Sequence, residues 1–347
     1  MKSLARFEEN PLLSPANVLP SREGFEVACV LNPGAFRWRG KTFLVLRVAE
    51  RPLPIPGRVH AVSRERDQLI VTSFAADDPD LVAEDSRVFI HRGRKYLTTI
   101  SHLRLAESEE GRHFQVHPDP LPLGGLPGES YGIEDCRVSQ IGDEFFLTYS
   151  SASPHGVGVA LARTKDWVNF SCDGLIFPPE NKDCTLFEEK IRNAYYCLHR
   201  PVGLNLGGPF IWLASSPDLR HWGNYSCIAA TRPGEWDENR VGAGAAPIRT
   251  EQGWLVLYHG ADRRSRYCLG ALLLDIDDPS RVIARSREPF MEPVMPYETS
   301  GFFGNVVFSN GHTLEGDRLT LYYGAADEFI CGATLSLSDL LETIQLI

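Results

Sequence analysis

The stretch RVSQIGDEFFLTYS, residues 137–150, decides the fold. Two runs, 137–140 and 144–149, flank the turn residues Gly142 and Asp143, and the second run is rich in aromatic and other apolar residues. This arrangement is typical of a β-hairpin, because glycine and aspartate suit a tight turn while the flanking residues suit strands. The same pattern recurs along the chain and predicts an all-β protein.

Five further hairpins follow this design at intervals of roughly fifty to sixty residues, a repeat length typical of β-propeller blades. Their predicted spans are residues 35–46, 87–98, 185–198, 246–258 and 305–323. Propeller blades are small sheets that pack radially around a central depression. Six hairpins predict six blades, or fewer if the terminal hairpins complete one another.

The sequence favours one catalytic domain over 1–347, because it has no Pro/Ser-rich linker. A short C-terminal helix is predicted over residues 338–344, with Ser338 as its N-cap. The first residues lack the apolar segment of a signal peptide, and no run of about 18 apolar residues occurs, which predicts a cytoplasmic protein without membrane spans.

Composition narrows the function classes. The chain has 347 residues and a formal net charge of −10, so it offers no general attraction to nucleic acid or to an anionic membrane. Eight cysteines without a C-x-x-C pair predict reduced, buried thiols rather than disulfides or a zinc site. The G-x-S-x-G, P-loop and dinucleotide-binding motifs are missing, which argues against serine hydrolases, kinases and dehydrogenases.

A repeated acidic and basic motif is the strongest local signal for a site. EDSR at 84–87 and EDCR at 134–137 each stand directly before a predicted strand. Equivalent positions on adjacent blades would point towards the same axis, and Asp135 and Arg137 would project to the same side of an extended strand. Turn capping and blade packing are the alternative explanation. It is as good as function for the first copy, whereas function is favoured for Asp135.

Other charged residues lie in or beside the later hairpins. Lys190 and Arg200 are either site residues or solvated surface groups, and His199 is either a site residue or a hydrogen-bonded core imidazole. YHGAD at 258–262 and YYGAAD at 322–327 each place an aspartate just past a strand that ends in an aromatic. Carboxylates and cations combined with many aromatic rings indicate sugar recognition, and therefore a carbohydrate-active enzyme.

An ordered series of segments runs nearly from end to end: NPLLSP (10–15), SR (21–22), FEV (25–27), NPGA (32–35), LRVAERP (46–52), ISHLRLA (100–106), GIEDCR (132–137), NKD (181–183), LFEEKI (186–191), LHRP (198–201), WLA (212–214), YHG (258–260), GFFG (301–304) and YYGAAD (322–327). This series resembles glycoside hydrolase family 130, the β-mannoside phosphorylases and related mannosidases, and especially its β-1,2-mannobiose and oligomannan phosphorylase branch. The resemblance implies a five-bladed propeller. Cys136 and Glu188 depart from the family, which usually has proline at both positions.

The resemblance implies that Asp135 is the general acid and protonates the glycosidic oxygen through the mannose 3-hydroxyl. Inorganic phosphate then attacks the anomeric carbon with inversion and releases α-mannose 1-phosphate. The expected phosphate-binding residues are Arg47, Arg137, Lys190, Arg87 and His199. The expected substrate-binding residues are Asp85, Asp183, Asp327, Arg200, Tyr131 and His259.

Phosphate needs a cationic cradle, whereas an inverting hydrolase needs a second carboxylate to activate water. The retained Lys190 therefore favours phosphorolysis of a β-mannoside. A β-mannosidase and a non-catalytic glycan-binding propeller are the alternatives. The expected partners are an oligosaccharide and inorganic phosphate as co-substrate, with no metal or organic cofactor. The acceptor sugar, the linkage and the homo-oligomeric state are left open.

Overall fold

The computed structural model describes residues 4–65, 68–83, 87–203 and 206–346. Helices are short in these ranges: the 3₁₀ segments Pro15–Asn17 and Pro127–Glu129, α1 (Pro296–Thr299) and α2 (Leu337–Thr343). None of them has the length and apolar character needed to span a bilayer.

The strands of the described ranges are β1 (Ala5–Arg6), β2 (Phe25–Trp38), β3 (Lys41–Pro52), β4 (Arg58–Glu65), β5 (Gln68–Ala75), β6 (Leu81–Ala83), β7 (Val88–His91), β8 (Arg94–Leu97), β9 (Ile100–Ser108), β10 (Gln115–Pro120), β11 (Ile133–Ile141), β12 (Glu144–Ser153), β13 (Gly156–Thr164), β14 (Ser171–Phe177), β15 (Asn181–Leu186), β16 (Tyr195–Pro201), β17 (Ile211–Ser216), β18 (Gly223–Ala229), β19 (Arg240–Ala243), β20 (Ile248–Thr250), β21 (Gly253–Ala261), β22 (Tyr267–Leu274), β23 (Val282–Arg285), β24 (Val307–Glu315), β25 (Arg318–Ala325), β26 (Phe329–Ser336) and β27 (Gln345–Leu346). This content confirms the all-β prediction.

Five larger antiparallel sheets are formed by these strands. Their strand orders are β10-β9-β3-β2, β11-β12-β13-β14, β15-β16-β17-β18, β19-β21-β22-β23 with β20 and β27 added, and β1-β26-β25-β24. The last sheet contains strands from both ends of the chain, since Ala5 pairs with Thr334. Each larger sheet places one edge strand against the corresponding edge strand of a neighbouring sheet. Strand β2 contacts β24 and β11, and β15 contacts β11 and β19.

Apolar side chains fill the spaces between neighbouring sheets. Phe36 of the first sheet stacks on Trp167, which follows β13 of the second sheet, with ring centroids 4.1 Å apart. Phe187 and Trp254 make a comparable edge contact, at 5.1 Å, between the third and fourth sheets. Buried aromatic pairs of this kind contribute about 0.5–1.5 kcal/mol beyond the area they bury. The core is therefore divided into layers between sheets.

The hairpin predicted over 87–98 lies outside the five larger sheets. It forms β7 and β8 of a three-stranded sheet, β6-β7-β8, which together with the β4-β5 hairpin is inserted between β3 and β9. Residues 84–86 of EDSR lie outside the described residues. Arg87 stands directly before β7 of this inserted sheet, whereas EDCR lies at β11 of a larger sheet, so the two arginines are not on corresponding strands. The remaining five predicted hairpins fall one into each larger sheet.

Two smaller predictions need correction. The N-cap of α2 is Ser336, whose Oγ accepts a hydrogen bond from Asp339 N at 3.1 Å, and not Ser338. Ser338 lies inside the first turn, and its Oγ donates to Asp317 at 3.1 Å. All eight cysteines are free thiols, but Cys172 and Cys227 are exposed, so the prediction of buried thiols holds for the other six alone.

Candidate active site

A cavity of about 340 Å³ lies where the adjacent strands of the five larger sheets meet. Each of these strands contributes to its lining: Asn32 from β2, Asp135 from β11, Asp183 from β15, Arg240 from β19 and Phe308 from β24. Pockets that hold small ligands start at about 300 Å³ and combine apolar walls with a few convergent polar groups. The cavity has both properties.

Bulges direct three of these side chains into the cavity. The register of β2, β11 and β15 shifts at Asn32, Asp135 and Asp183, respectively. The three residues have φ values of 41°, 52° and 52°, in the left-handed region that asparagine and aspartate tolerate better than other non-glycine residues. A bulge bends the strand and changes the direction of its side chain. The side chains of Asn32, Asp135 and Asp183 therefore face the cavity because of the local backbone geometry.

The bulge in β11 separates two residues that were predicted to share a side. Asp135 lines the cavity, whereas Arg137 is 1% exposed and lies beneath it. Arg137 Nη1 donates to the backbone oxygen of Asp135 at 2.9 Å, and Nη2 donates to Asp183 Oδ1 at 3.0 Å. The prediction of a shared side is wrong, because it assumed an uninterrupted period of two. Arg137 supports the two bulges from below.

The two oxygens of the Asp135 carboxyl have different surroundings. Oδ1 accepts hydrogen bonds from Asn32 Nδ2 at 2.9 Å and from Arg47 Nη1 at 3.0 Å. Oδ2 makes no hydrogen bond with any residue in the described ranges. Arg47 is itself fixed, because its other nitrogens donate to Glu134 Oε1 at 2.7 Å and to Ser101 Oγ at 3.0 Å. The carboxyl is thus held through one oxygen, and the other is available to a ligand.

Two aspartates of the cavity differ in acidity. Burial alone would raise the pKa of Asp135, but the Arg47 and Arg137 cations and the Asn32 hydrogen bond outweigh it, so the pKa lies below its ordinary value. Burial raises the pKa of Asp327 to about 6, in spite of the Arg47 and Arg87 cations. Without ligand, the more readily protonated of the two is Asp327.

A buried ionic cluster lies under the cavity and centres on Asp183. Arg200 Nε and His259 Nε2 lie 3.0 Å and 3.3 Å from Asp183 Oδ2, while Arg137 holds Oδ1. Burial opposes ionisation of Asp183, but the Arg200 and Arg137 cations keep its pKa well below the ordinary value. The carboxylate is therefore charged and joins β11, β15, β16 and β21. Arg200 reaches the cavity wall, whereas His259 does not.

Two cations of the lining form no ion pair with any carboxylate in the described ranges. Lys182 lines the cavity and makes no ion pair or side-chain hydrogen bond with a described residue. Arg240 also lines it, with Nη1 donating to Tyr267 OH at 2.9 Å. Lys190, predicted for this role, is exposed outside the cavity, with Nζ 4.5 Å from the centre of the Tyr195 ring. The available cations are therefore Lys182 and Arg240.

The other predicted residues divide between the lining and its surroundings. Arg87 lines the cavity, 3.9 Å from Asp327 and over the Phe303 ring. His199 is buried away from it, stacked on Phe177 with ring centroids 4.3 Å apart, and burial lowers its pKa to about 4. Tyr131 is not part of the lining. Asp85 lies outside the described residues.

Sequence reasoning missed the charged and amide side chains of four lining residues: Asn32, Glu134, Lys182 and Arg240. Asparagine and aspartate are depleted in strands, so Asn32 within a long apolar run is itself a sign of a bulge. Lys182 stands directly before Asp183, a residue that was predicted. Arg240 offers no comparable local signal. The apolar lining includes Tyr267, Phe302, Phe303 and Phe308, which supply ring faces and edges.

Comparison with known proteins identifies the family. Residues 48–346 match a family model described as beta-1,4-mannooligosaccharide phosphorylase. A beta-1,2-mannobiose phosphorylase of Listeria innocua is 43% identical over 350 aligned positions, which cover 99% of each chain. A 1,2-beta-oligomannan phosphorylase of Thermoanaerobacter sp. is 37% identical over 249 positions, 71% of this chain and 82% of that protein.

Solved structures give the same result. The beta-1,2-mannobiose phosphorylase from Listeria innocua, in complex with beta-1,2-mannobiose, superposes with a TM-score of 0.95 at 44% identity and covers 98% of each chain. A structure described as showing that the mannoside phosphorylase family contains hydrolases acting on beta-1,2 mannosidic linkages superposes at 0.73 with 21% identity, which supports the fold alone. The chain belongs to glycoside hydrolase family 130.

Proposed function

We propose that Asp135 is the general acid of an inverting phosphorolysis carried out in this cavity. The chain is a glycoside phosphorylase that cleaves β-mannosides with inorganic phosphate. The observation that carries the proposal is the pairing of a carboxyl held by one oxygen with cations that have no described carboxylate partner in the same cavity. The first group can deliver a proton, and the second can receive an anionic nucleophile.

The proton belongs on Oδ2 of Asp135, because Asn32 and Arg47 donate to Oδ1 and exclude a proton there. Their donation and the positive charge of Arg47 keep Asp135 ionised in the empty protein. A phosphate anion bound nearby favours the neutral acid, since like charges oppose ionisation. Phosphate binding therefore prepares the acid, and the proton then passes to the glycosidic oxygen through the mannose 3-hydroxyl, as in the family.

Phosphate takes the part of the cavity beside Lys182 and Arg240. Lysine and arginine bind phosphate through charge-assisted hydrogen bonds, each worth about 1.5–3 kcal/mol. Attack on the anomeric carbon from the face opposite the leaving group gives α-mannose 1-phosphate. Phosphate needs no base, whereas water does. Asp183 and Asp327 bind hydroxyl groups of the mannose ring.

The five larger sheets are the blades of one five-bladed β-propeller that spans the whole chain as a single domain. The contacts of β2, β11, β15, β19 and β24 around one cavity support this arrangement. The pairing of β1 with β26 joins the two ends of the chain and closes the ring. The preferred substrate is β-1,2-mannobiose or a β-1,2-mannooligosaccharide, by similarity to the Listeria relative.

Incubation with β-1,2-mannobiose, with and without inorganic phosphate, tests the proposal. We expect mannose 1-phosphate only when phosphate is present, and no turnover by Asp135→Asn, which retains the shape of the side chain. Full turnover by this variant would remove Asp135 as the acid. Equal release of free mannose in both incubations would replace the phosphorylase by a mannosidase.

The mannosidase alternative rests on one observation. Asp327 lines the same cavity as Asp135, and its pKa of about 6 suits a general base. The exposed Glu188 and Glu189 lie outside the cavity and are not available for that role. Asp327→Asn would abolish mannose release by a hydrolase, because water could no longer be activated.

A further inference from the structure

A second cavity of about 330 Å³ lies apart from the candidate active site. Its lining combines Ser21, Arg22, Arg64 and His102 with a wall formed by residues 120–123 and Gly125. None of these residues lines the candidate active site. The cavity is as large as the catalytic one and has no role in the proposed reaction.

The cations of this second cavity have no carboxylate partner in its lining. The buried Glu129 feels the charge of Arg64, but its oxygens already accept from Tyr149 OH at 3.0 Å and from Leu126 N at 2.8 Å. No carboxylate among the described residues lines it. Arg64 makes no ion pair with a described residue, and its Nε is buried without a hydrogen-bond partner. Buried polar groups in native proteins almost always have a partner, so an unpaired guanidinium nitrogen at a cavity indicates a missing acceptor. Arg22 is exposed at the same cavity and lies over the Phe25 ring.

Glu50 is a buried carboxylate behind this wall, and both of its oxygens accept hydrogen bonds from Ser21. Oε1 accepts from Ser21 N at 2.6 Å and Oε2 accepts from Ser21 Oγ at 2.7 Å. Arg104, which is fully buried, lies 3.8 Å from Oε1. Glu50 Oε1 also lies 4.0 Å from Nε2 of the lining residue His102. The cation that pairs with Glu50 is Arg104, and Glu50 makes no described ion pair with Arg22 or Arg64.

His102 adds a neutral donor. Its Nε2 lies 3.2 Å from Arg104 Nη2, and a guanidinium can only donate, so Nε2 is the acceptor. Burial and the surrounding arginines lower the pKa of His102 to about 3, which keeps the ring neutral with its hydrogen on Nδ1. The titratable side chains of the lining thus offer donors and no negative charge. Such a set is complementary to an oxyanion.

We propose that this second cavity binds a phosphate group, either as inorganic phosphate or as the phosphate of a sugar monoester. Arg22 and Arg64 supply charge-assisted donors and His102 a neutral one. Leu121 and Leu123 give the cavity an apolar wall against which a sugar ring can rest. Strand β9 passes between the two cavities: Ser101 accepts the hydrogen bond of Arg47 Nε at 3.0 Å, and the next residue, His102, lines the second cavity.

Equilibrium dialysis against radiolabelled inorganic phosphate, and separately against radiolabelled mannose 1-phosphate, counts the bound groups per chain. We expect two sites for the native protein with at least one of the two ligands. Arg64→Ala removes one charge-assisted bond and weakens the second site about tenfold or more. Arg58→Ala is the matched control, since Arg58 lies exposed on the same strand, β4, outside the cavity.

The two ligands separate the sources of the phosphate group. A second site for inorganic phosphate alone identifies the free anion, and a second site for mannose 1-phosphate alone identifies the sugar ester. Equal binding by the native protein and Arg64→Ala overturns the proposal, whatever the native count. Arg22→Ala, at an exposed position, repeats the test if Arg64→Ala does not fold. Lys182→Ala changes the candidate active site alone, so binding that is weakened in Lys182→Ala and kept in Arg64→Ala belongs to the active site, and failure of the phosphorylase is distinguished from failure of the second site.

Discussion

Asn32 acts on the reaction through Asp135. Its Nδ2 donates to Asp135 Oδ1 at 2.9 Å and so favours the ionised carboxyl. In Asn32→Ala we expect kcat to fall about tenfold, the size of one lost bond to a charged group. We also expect the basic limb of the kcat profile to move to higher pH, because the pKa of Asp135 rises. Asn169→Ala, at an exposed position, is the control. An unmoved limb would contradict the role of Asn32.

Lys182 and Lys190 form a natural matched pair. Lys182 lines the cavity, whereas Lys190 is exposed outside it. Lys182→Ala should raise the KM for phosphate tenfold or more, since a charge-assisted bond is worth about 1.5–3 kcal/mol, while Lys190→Ala should leave it unchanged. Initial rates at varied phosphate concentration measure both. The opposite result would return the phosphate site to Lys190, as the sequence alone predicts.

Asp327 makes stability depend on pH. Its pKa is raised from 3.8 to about 6 in the folded protein, so folding favours its protonated form. This contribution is complete below pH 3.8 and is lost as pH rises through about 6. We expect Asp327→Asn to exceed the native protein in stability by ~3 kcal/mol at pH 7.5 and by much less at pH 4. Urea unfolding at both pH values measures the difference, and a constant difference would argue against the raised pKa.

At the scale of the strand, the bulges explain which site residues could be predicted. Asp135 and Asp327 were found because carboxylates beside predicted strands stand out in the sequence, whereas Asp183 came from the family resemblance. Arg137 was misplaced because counting by twos along β11 cannot anticipate an extra residue in the ladder. Lys190 was chosen instead of Lys182 because the position of each lysine relative to the cavity also depends on strand register. Without the register of β15, nothing in the sequence shows which of the two lysines is near the cavity.

The N-cap of α2 can be tested by comparing two serine substitutions. Ser336 Oγ accepts from Asp339 N, whereas Ser338 lies within the first turn. Ser336→Ala should therefore lower the free energy of unfolding by about 1 kcal/mol, the usual cost of a lost N-cap. Ser338→Ala should cost less, because it removes exposed hydroxyl contacts with Asp317 and Ser336 and leaves the cap in place. Urea unfolding of the two variants compares them, and a larger effect at Ser338 would restore the sequence prediction.

At the scale of the whole molecule, the number of sheets was the hardest property to predict. The hairpin at 87–98 has the same local signals as the others, including a turn at Arg92 and Gly93 with φ values of 51° and 76°. Turn chemistry and strand propensity act over a few residues, so they are satisfied equally in a large sheet and in an insertion. Only the long-range pairing of β3 with β9 shows that the segment between them is added to an existing sheet.

Glu298 holds β1, near the start of the chain, against the last larger sheet. Its substitution should therefore lower the free energy of unfolding strongly. This residue is fully buried and accepts from Arg6 Nε of β1 at 2.6 Å and from Tyr323 OH at 2.8 Å. Glu298→Ala leaves Arg6 without its partner and should cost about 3–5 kcal/mol. Glu26→Ala, which breaks an exposed pair with Arg51, should cost at most about 1 kcal/mol. Chemical denaturation measures both, and similar losses would contradict a special role for Glu298.

The pairing of β1 with β26 has a consequence for biosynthesis. A ribosome that has made most of this protein has not yet made a binding site, because the lining extends from Cys29 to Asp327 and the sheet that holds the first strand is completed only by residues 329–336. Contacts between such distant parts of a chain form late and slowly. A prematurely terminated or clipped chain therefore does not retain a fraction of the activity. We expect it to carry none, because the sheet that holds β1 is incomplete without β26 and strand edges are left unpaired.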